Sequence, residues 1–169
     1  DDYGARVFAE VDFFLAQSQG NTSIKVVTLH PYDLGSRNYE LWDKVGQGVG
    51  NLKSFSVLVI YLHDRLNELD WEILARILSH IRNKIELRID GGCILGIEDM
   101  PAFARAIQGH PAITRFDTGG GHFSFENTAT LCSALTTLPN LESAVLLQQR
   151  PSRVELPNFQ SPQSMTELF

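Results

Sequence analysis

The feature that most constrains this chain is a repeat of nearly constant pitch. A strand-like apolar signature recurs with its middle residue at Val27, Leu58, Leu87, Phe116 and Ala144, in steps of 31, 29, 29 and 28 residues. Two residues beyond each come Leu29, Ile60, Ile89, Thr118 and Leu146, and all but Thr118 are apolar. Ahead of each signature the chain carries apolar residues at helical spacing: Phe14, Val45, Leu74, Phe103 with Ile107, and Leu131 with Leu135. Each unit therefore reads helix, short loop, strand, turn. Such a unit cannot bury its apolar side alone, so equal units must stack on their neighbours.

The spacing predicts helices over Ala5–Gln17, Tyr39–Gln47, Asp70–His80, Met100–Gln108 and Asn127–Thr137. Pro101 suits a first helical turn, where an amide hydrogen would have had no partner. Pro111 and Pro139 are expected to end their helices by clashing with a continuing turn. His80 and His110 fall near helix ends, where a partly charged imidazole would favour the negative end of the dipole.

The third and fourth strands decide between architectures. Ile85-Glu86-Leu87-Arg88-Ile89-Asp90 is charged at every second position, and Arg115 and Asp117 flank Phe116. A doubly wound sheet buries both faces and would read apolar throughout, so one face of this sheet is expected to meet water. A closed barrel of eight units needs a longer chain. Parallel strands stack about 4.8 Å apart and helices about 8–10 Å apart. That mismatch predicts an arc with strands inside and helices outside.

The clearest copy of the repeat is ITRFDTGGGHFSFENTATLCSALTTLPNL, Ile113–Leu141. It follows L-x-x-L-x-L-x-x-N-x-L, then a helix with leucines four apart, then proline. In this the chain resembles leucine-rich repeat proteins of the ribonuclease-inhibitor type, over roughly Phe14 to Leu147. The resemblance implies an α/β solenoid of about five repeats, with strands on the concave face and helices on the convex face, and a single such domain over residues 1–169. It also implies recognition of another protein, as in inhibitors, immune sensors and adaptors, although fold alone does not select among these. The alternative is a regulator of a small GTPase, similar to the Ran GTPase-activating protein, which has this kind of repeat. The family often places Asn or Cys at the turn after each strand. Tyr32, His63, Gly92, Gly121 and Gln149 stand there instead, so backbone or water is expected to satisfy those turns.

Gly119-Gly120-Gly121 looks at first like a phosphate cradle. It falls where each unit must leave the sheet, and Gly91-Gly92 occupies the equivalent place one unit earlier. Neither GxxxxGK[ST] nor GxGxxG occurs, and glycine reaches backbone angles that other residues avoid. These glycines are read as corners.

Little else points to chemistry. His30, His63, His80, His110 and His122 are scattered at no metal-like spacing, whereas a zinc site needs three or four clustered ligands. Cys132 lies in a predicted helix beside Leu131, and Cys93 in a turn. Carboxylates such as Glu98-Asp99 read as solvated or helix-starting groups, not an acid–base pair. No catalytic residue, cofactor or metal is expected. A formal charge of −6 works against nucleic acid and anionic membrane as partners, since both need a basic surface. The longest apolar run, Val57–Leu62, is too short to span a bilayer. Two thiols make no disulfide framework and favour a reducing, cytoplasmic setting.

The candidate site is the open strand face. In register, Glu86 would lie beside Arg115 and Arg88 beside Asp117, opposite charges that both fix register and offer a recognition patch. Asp90, Val57, Val59, Tyr61 and Val145 join them, with Ser143 and Leu147 on the same face. Exposed apolar positions around a charged centre are expected to mark a protein contact. Beyond Gln148 the chain turns rich in Pro, Gln and Ser. Ser161-Pro162, Met165 and Leu168-Phe169 then suggest one more helix. That incomplete last repeat, 161–169, implies a piece of a longer array, whose uncapped ends would tend to self-associate.

Overall fold

A computed structural model describes residues 12–29, 38–61, 71–90, 94–95, 99–119, 122–123 and 125–146. Five helical segments alternate with five strands of one sheet. In chain order these are α1 (residues 12–18), β1 (Val26–Leu29), α2 (Tyr39–Asn51), β2 (Val57–Tyr61), α3 (Trp71–His80) and β3 (Ile85–Asp90), followed by α4 (Asp99–Ile107), β5 (Ile113–Asp117), α5 (Phe125–Leu135) and β7 (Ser143–Val145). Two short strands, β4 (Ile94–Leu95) and β6 (His122–Phe123), stand outside this sheet.

The main sheet is parallel throughout, in the order β1-β2-β3-β5-β7, so spatial order follows chain order. The register follows the repeat. Val27 pairs with Leu58, Leu58 with Leu87, Leu87 with Phe116, and Phe116 with Ala144. Those five residues form one row across the sheet, and from Leu58 onward every member is at most 3% exposed. A second row runs Leu29, Ile60 and Ile89. Side chains alternate between the faces of a strand, so both rows point the same way, into a core shared with the helices. From the helices Val45, Leu74, Phe103, Ile107, Leu131 and Leu135 join this core, and Phe14 packs against it. Trp71, Phe103 and Phe116 run through it ring on ring, with centroids 4.9 and 6.2 Å apart, and tie α3 and α4 to β5. Edge-on and tilted contacts of this kind suit the aromatic quadrupole.

The pairing of β3 with β5 carries one irregularity. Between Ile85 and Glu86 the pairing of β3 with β5 shifts by one residue, so that Ile85 faces Ile113 but Glu86 faces Arg115. Thr114 is the extra residue. It is buried, and its hydroxyl donates to the Ile85 carbonyl at 3.3 Å. The bulge lets Ile113 and Phe116, three positions apart, both face the core.

Several boundaries differ from expectation. Helix α2 runs to Asn51, past the predicted end at Gln47, and it carries Gly46, Gly48 and Gly50 through its last turns. A glycine in a helix interior costs about 1 kcal/mol relative to alanine, and close packing is what offsets that cost here. A β-carbon on Gly46 would lie 2.7 Å from the His80 ring, and one on Gly50 would meet the His80 carbonyl oxygen. One on Gly48 would meet the Phe14 ring. The glycines thus let α2 approach α3 on one side and α1 on the other. Helix α4 ends at Ile107, before Pro111, and Gly109 two residues on has φ +67°, the left-handed geometry common after a helix. Helix α5 ends two residues before the predicted Thr137.

Units three and four share more than the main sheet. Beyond β3 and β5 each adds a short strand, and Ile94 pairs with His122 and Leu95 with Phe123, in parallel. Pro101 lies in the first turn of α4, as expected. No described helix is long and apolar enough to cross a membrane. The predicted helical stretch over residues 5–11, the terminal segment 161–169 and the five turn positions Tyr32, His63, Gly92, Gly121 and Gln149 lie outside the described residues.

Candidate functional site

Every predicted site residue that is described falls on one face of the main sheet, opposite the core rows. Register arranges them as a grid. One row is Val57, Glu86, Arg115 and Ser143, and the next is Val59, Arg88, Asp117 and Val145. Tyr61 and Asp90 form a third. On the outer side, Val26 stands beside Val57 and Thr28 beside Val59. Glu86, Arg88, Asp90 and Asp117 are partly exposed, Arg115 is exposed, and β3 alternates buried and half-buried along its whole length.

The apolar positions are less uniform than expected. Val26 and Val145, near the two edges, are 53% and 39% exposed. Val57 and Tyr61 are half-buried. Val59 corrects the expectation: it is 7% exposed, set between Thr28 and Arg88 in register. Of its two register neighbours Arg88 is the longer side chain and is partly buried, whereas Thr28 is exposed.

The charges are distributed differently from the predicted ladder. Arg88 does reach across to Asp117, Nε to Oδ2 at 3.8 Å. Its closer partner, however, is Glu86 on its own strand, two residues back on the same face, with Nε donating to Oε1 at 3.1 Å. The hydrogen bond to Glu86 is the main reason the guanidinium is held above its ordinary pKa, opposed by partial burial and aided by the charges of Glu86, Asp117 and Asp90. With Glu86 turned to Arg88, Arg115 turns the other way and donates to the Ser143 hydroxyl at 3.4 Å. The face thus carries an interlinked acid–base–acid cluster beside an exposed guanidinium. Nearby, Lys84 meets Glu142 at 3.5 Å.

The corner beneath the patch is built as its glycines suggest. Gly119 has φ +53°, and a β-carbon there would lie 2.8 Å from the Ile89 carbonyl oxygen. Its amide donates to the Asp117 carboxylate at 2.8 Å, closing a turn. Asp117 therefore serves Arg88 with one oxygen and the corner with the other. Gly91, Gly120 and Gly121 lie outside the described residues.

Reasoning from the sequence missed two further clusters. On the helical side Arg76 of α3 meets Asp43 of α2 at 3.1 Å and Glu72 at 3.0 Å, and it lies 4.5 Å over the Tyr39 ring. The (i, i+4) spacing of Glu72 and Arg76 was the available signal. In the loops before the strands, a set of polar side chains joins successive units. Asn83 donates to the Leu52 carbonyl at 3.1 Å, Asn140 to the Pro111 carbonyl at 2.8 Å, and the Gly109 amide to the Thr137 hydroxyl at 2.9 Å. The recurrence of Asn83 and Asn140 a few residues ahead of their strands was legible.

Two titratable groups are placed against reactivity. Cys132 is buried, and loss of hydration pushes its thiol up, away from the nucleophilic thiolate. His110 corrects the helix-dipole expectation. It sits past the end of α4, and burial is the main cause holding it below the ordinary histidine range. His80, at the end of α3, lies 3.8 Å from Asp43. Among the described residues no group of His, Cys, Asp and Glu could hold a metal. His30, His63, Cys93 and Leu147 lie outside them.

No protein-family model matches the chain, and no curated protein does.

Proposed function

We propose that the chain is a non-enzymatic interaction module, a leucine-rich-repeat-like arc that binds another protein through the open face of its sheet. Consecutive units contribute consecutive parallel strands, and helices need more room than strands, which favours curvature with the strand face inside. The observation that carries the reading is the grid itself. Ionic side chains from β3 and β5 stand at its centre, with the half-buried Val57 and Tyr61 and the exposed Val145 around them. A partner gains affinity from anchors such as Tyr61, and orientation from the charges.

The test compares wild type with the double variant Arg88→Glu, Arg115→Glu in pull-downs, with circular dichroism to check that both are folded. Arg105→Glu, on the exposed side of α4, serves as control. The expected outcome is a partner held by wild type and control but lost by the double variant. Equal retention by all three would remove the strand face as the binding surface.

A further inference from the structure

We propose that His110 is a proton-sensitive latch between the third and fourth units. It occupies the loop from α4 to β5 and reaches back to α3, where its Nε2 lies 2.9 Å from the Leu78 carbonyl oxygen. Its Nδ1 lies 3.3 Å from the amide nitrogen of Ala112, which can only donate. Nδ1 must therefore accept, and Nε2 must carry the single proton and donate it to Leu78. Both contacts together require the neutral ring in one tautomer.

A second proton breaks this arrangement at a defined place. It goes onto Nδ1 and sets an N–H against the N–H of Ala112. The Ala112 carbonyl accepts from the Ile85 amide at 2.8 Å, the first link between β3 and β5 and the one beside the bulge. Acid thus acts where pairing of these two strands begins. The other loop contacts between units, through Asn83, Asn140 and Thr137, do not titrate in this range. Among these loop contacts His110 is the one that changes with pH; the histidine at the preceding unit boundary, His80, stands on a helix and faces Asp43.

The surroundings reinforce the direction. From the turn after α3, Arg82 is the charge that acts on the ring, and it disfavours a second positive charge. His80 of α3 points elsewhere, to Gly46 and Asp43 of α2. The fourth and fifth units present neutral partners beside it, the Gly109 amide with Thr137 and the Pro111 carbonyl with Asn140. Glu142 pairs with Lys84, and Arg115 with Ser143 on the far face of the sheet. Burial lowers the folded-state pKa below the ordinary value, the hydrogen bond to the Leu78 carbonyl opposes it in part, and Arg82 adds to the lowering. The unfolded chain then binds more protons below that ordinary value, so the stabilisation is complete above about pH 6.5 and is lost as pH falls through the folded value.

Site-resolved hydrogen exchange at about pH 7.5 and about pH 5, on either side of the ordinary histidine value, tests the latch, with rates corrected for intrinsic exchange. In wild type, protection at the Ala112 and Ile85 amides falls on acidification. In His110→Gln, whose amide can donate to Leu78 and accept from Ala112 without titrating, that dependence disappears. In His80→Gln it remains. The same pH dependence in His110→Gln would overturn the proposal. Should that variant fail to fold, the ring signals of His110 in wild type decide: titration below the ordinary histidine value supports the latch, and titration at or above it overturns it.

Discussion

The two faces of the five-stranded sheet are made from alternate residues of the same strands, yet they are governed by different physics. On the helix side Leu58, Leu87 and Phe116 line up in one row and are almost wholly removed from water. One residue away, Val57, Glu86 and Arg115 line up just as regularly and stay wholly or partly exposed. The first row is set by volume, because a change of size there leaves a hole or a clash. The second is set by charge in high dielectric, where partners exchange at little cost. The Glu86–Arg88 pair shows that freedom: the expected cross-strand partner was available, and the neighbour on the same strand is closer. The buried face specifies the packing of strands on helices, and the other is the face for which we propose partner binding.

That contrast can be broken or sharpened by experiment. The largest effect is expected from Leu87→Ala at the centre of the buried row, a loss of about 2–5 kcal/mol of stability in urea unfolding. A loss below about 1 kcal/mol would mean that the row is not close-packed. Next comes Gly50→Ala. Helix propensity alone would make it stabilising, but the added methyl meets backbone at His80, and overpacking costs about 1–3 kcal/mol. A gain in melting temperature would show that α2 and α3 are not in such close approach.

Smaller again is Asn140→Ala, which removes one hydrogen bond to the preceding unit and is expected to cost about 0.5–1.5 kcal/mol. It tests whether the polar links between loops contribute beyond the core. The smallest change is expected from Arg115→Ala on the open face, within about 0.5 kcal/mol in the same unfolding assay. If Arg115→Ala rivalled Leu87→Ala, the distinction between the faces would fail.

How much could be read in advance varied with the kind of interaction. The row Val27, Leu58, Leu87, Phe116, Ala144 was legible because strand pairing in a stack carries the repeat directly into register. The charged grid was legible for the same reason, since alternation assigns Glu86, Arg88 and Asp90 to the face opposite Leu87 and Ile89. The glycine corner at Gly119 could be read because a positive φ restricts residue type so strongly. The end of helix α2 was not legible because three glycines in five residues argue against a helix locally, and only the neighbouring helices make them favourable. Strands β4 and β6 were passed over because two residues carry no periodicity of their own.

The sequence by itself determined the unit, its pitch, the order of its elements and the side of each strand that faces the helices. These follow from local periodicity and from the need of equal units to cover one another's apolar sides. Only the tertiary structure decided which charges pair, that Val59 is covered, that Thr114 forms a bulge, and that His110 bridges two units in a neutral form. Most of those outcomes depend on distances of a few ångströms between residues about thirty positions apart, and the Glu86–Arg88 pair on which of two neighbours lies closer; no pattern along a single chain records such distances.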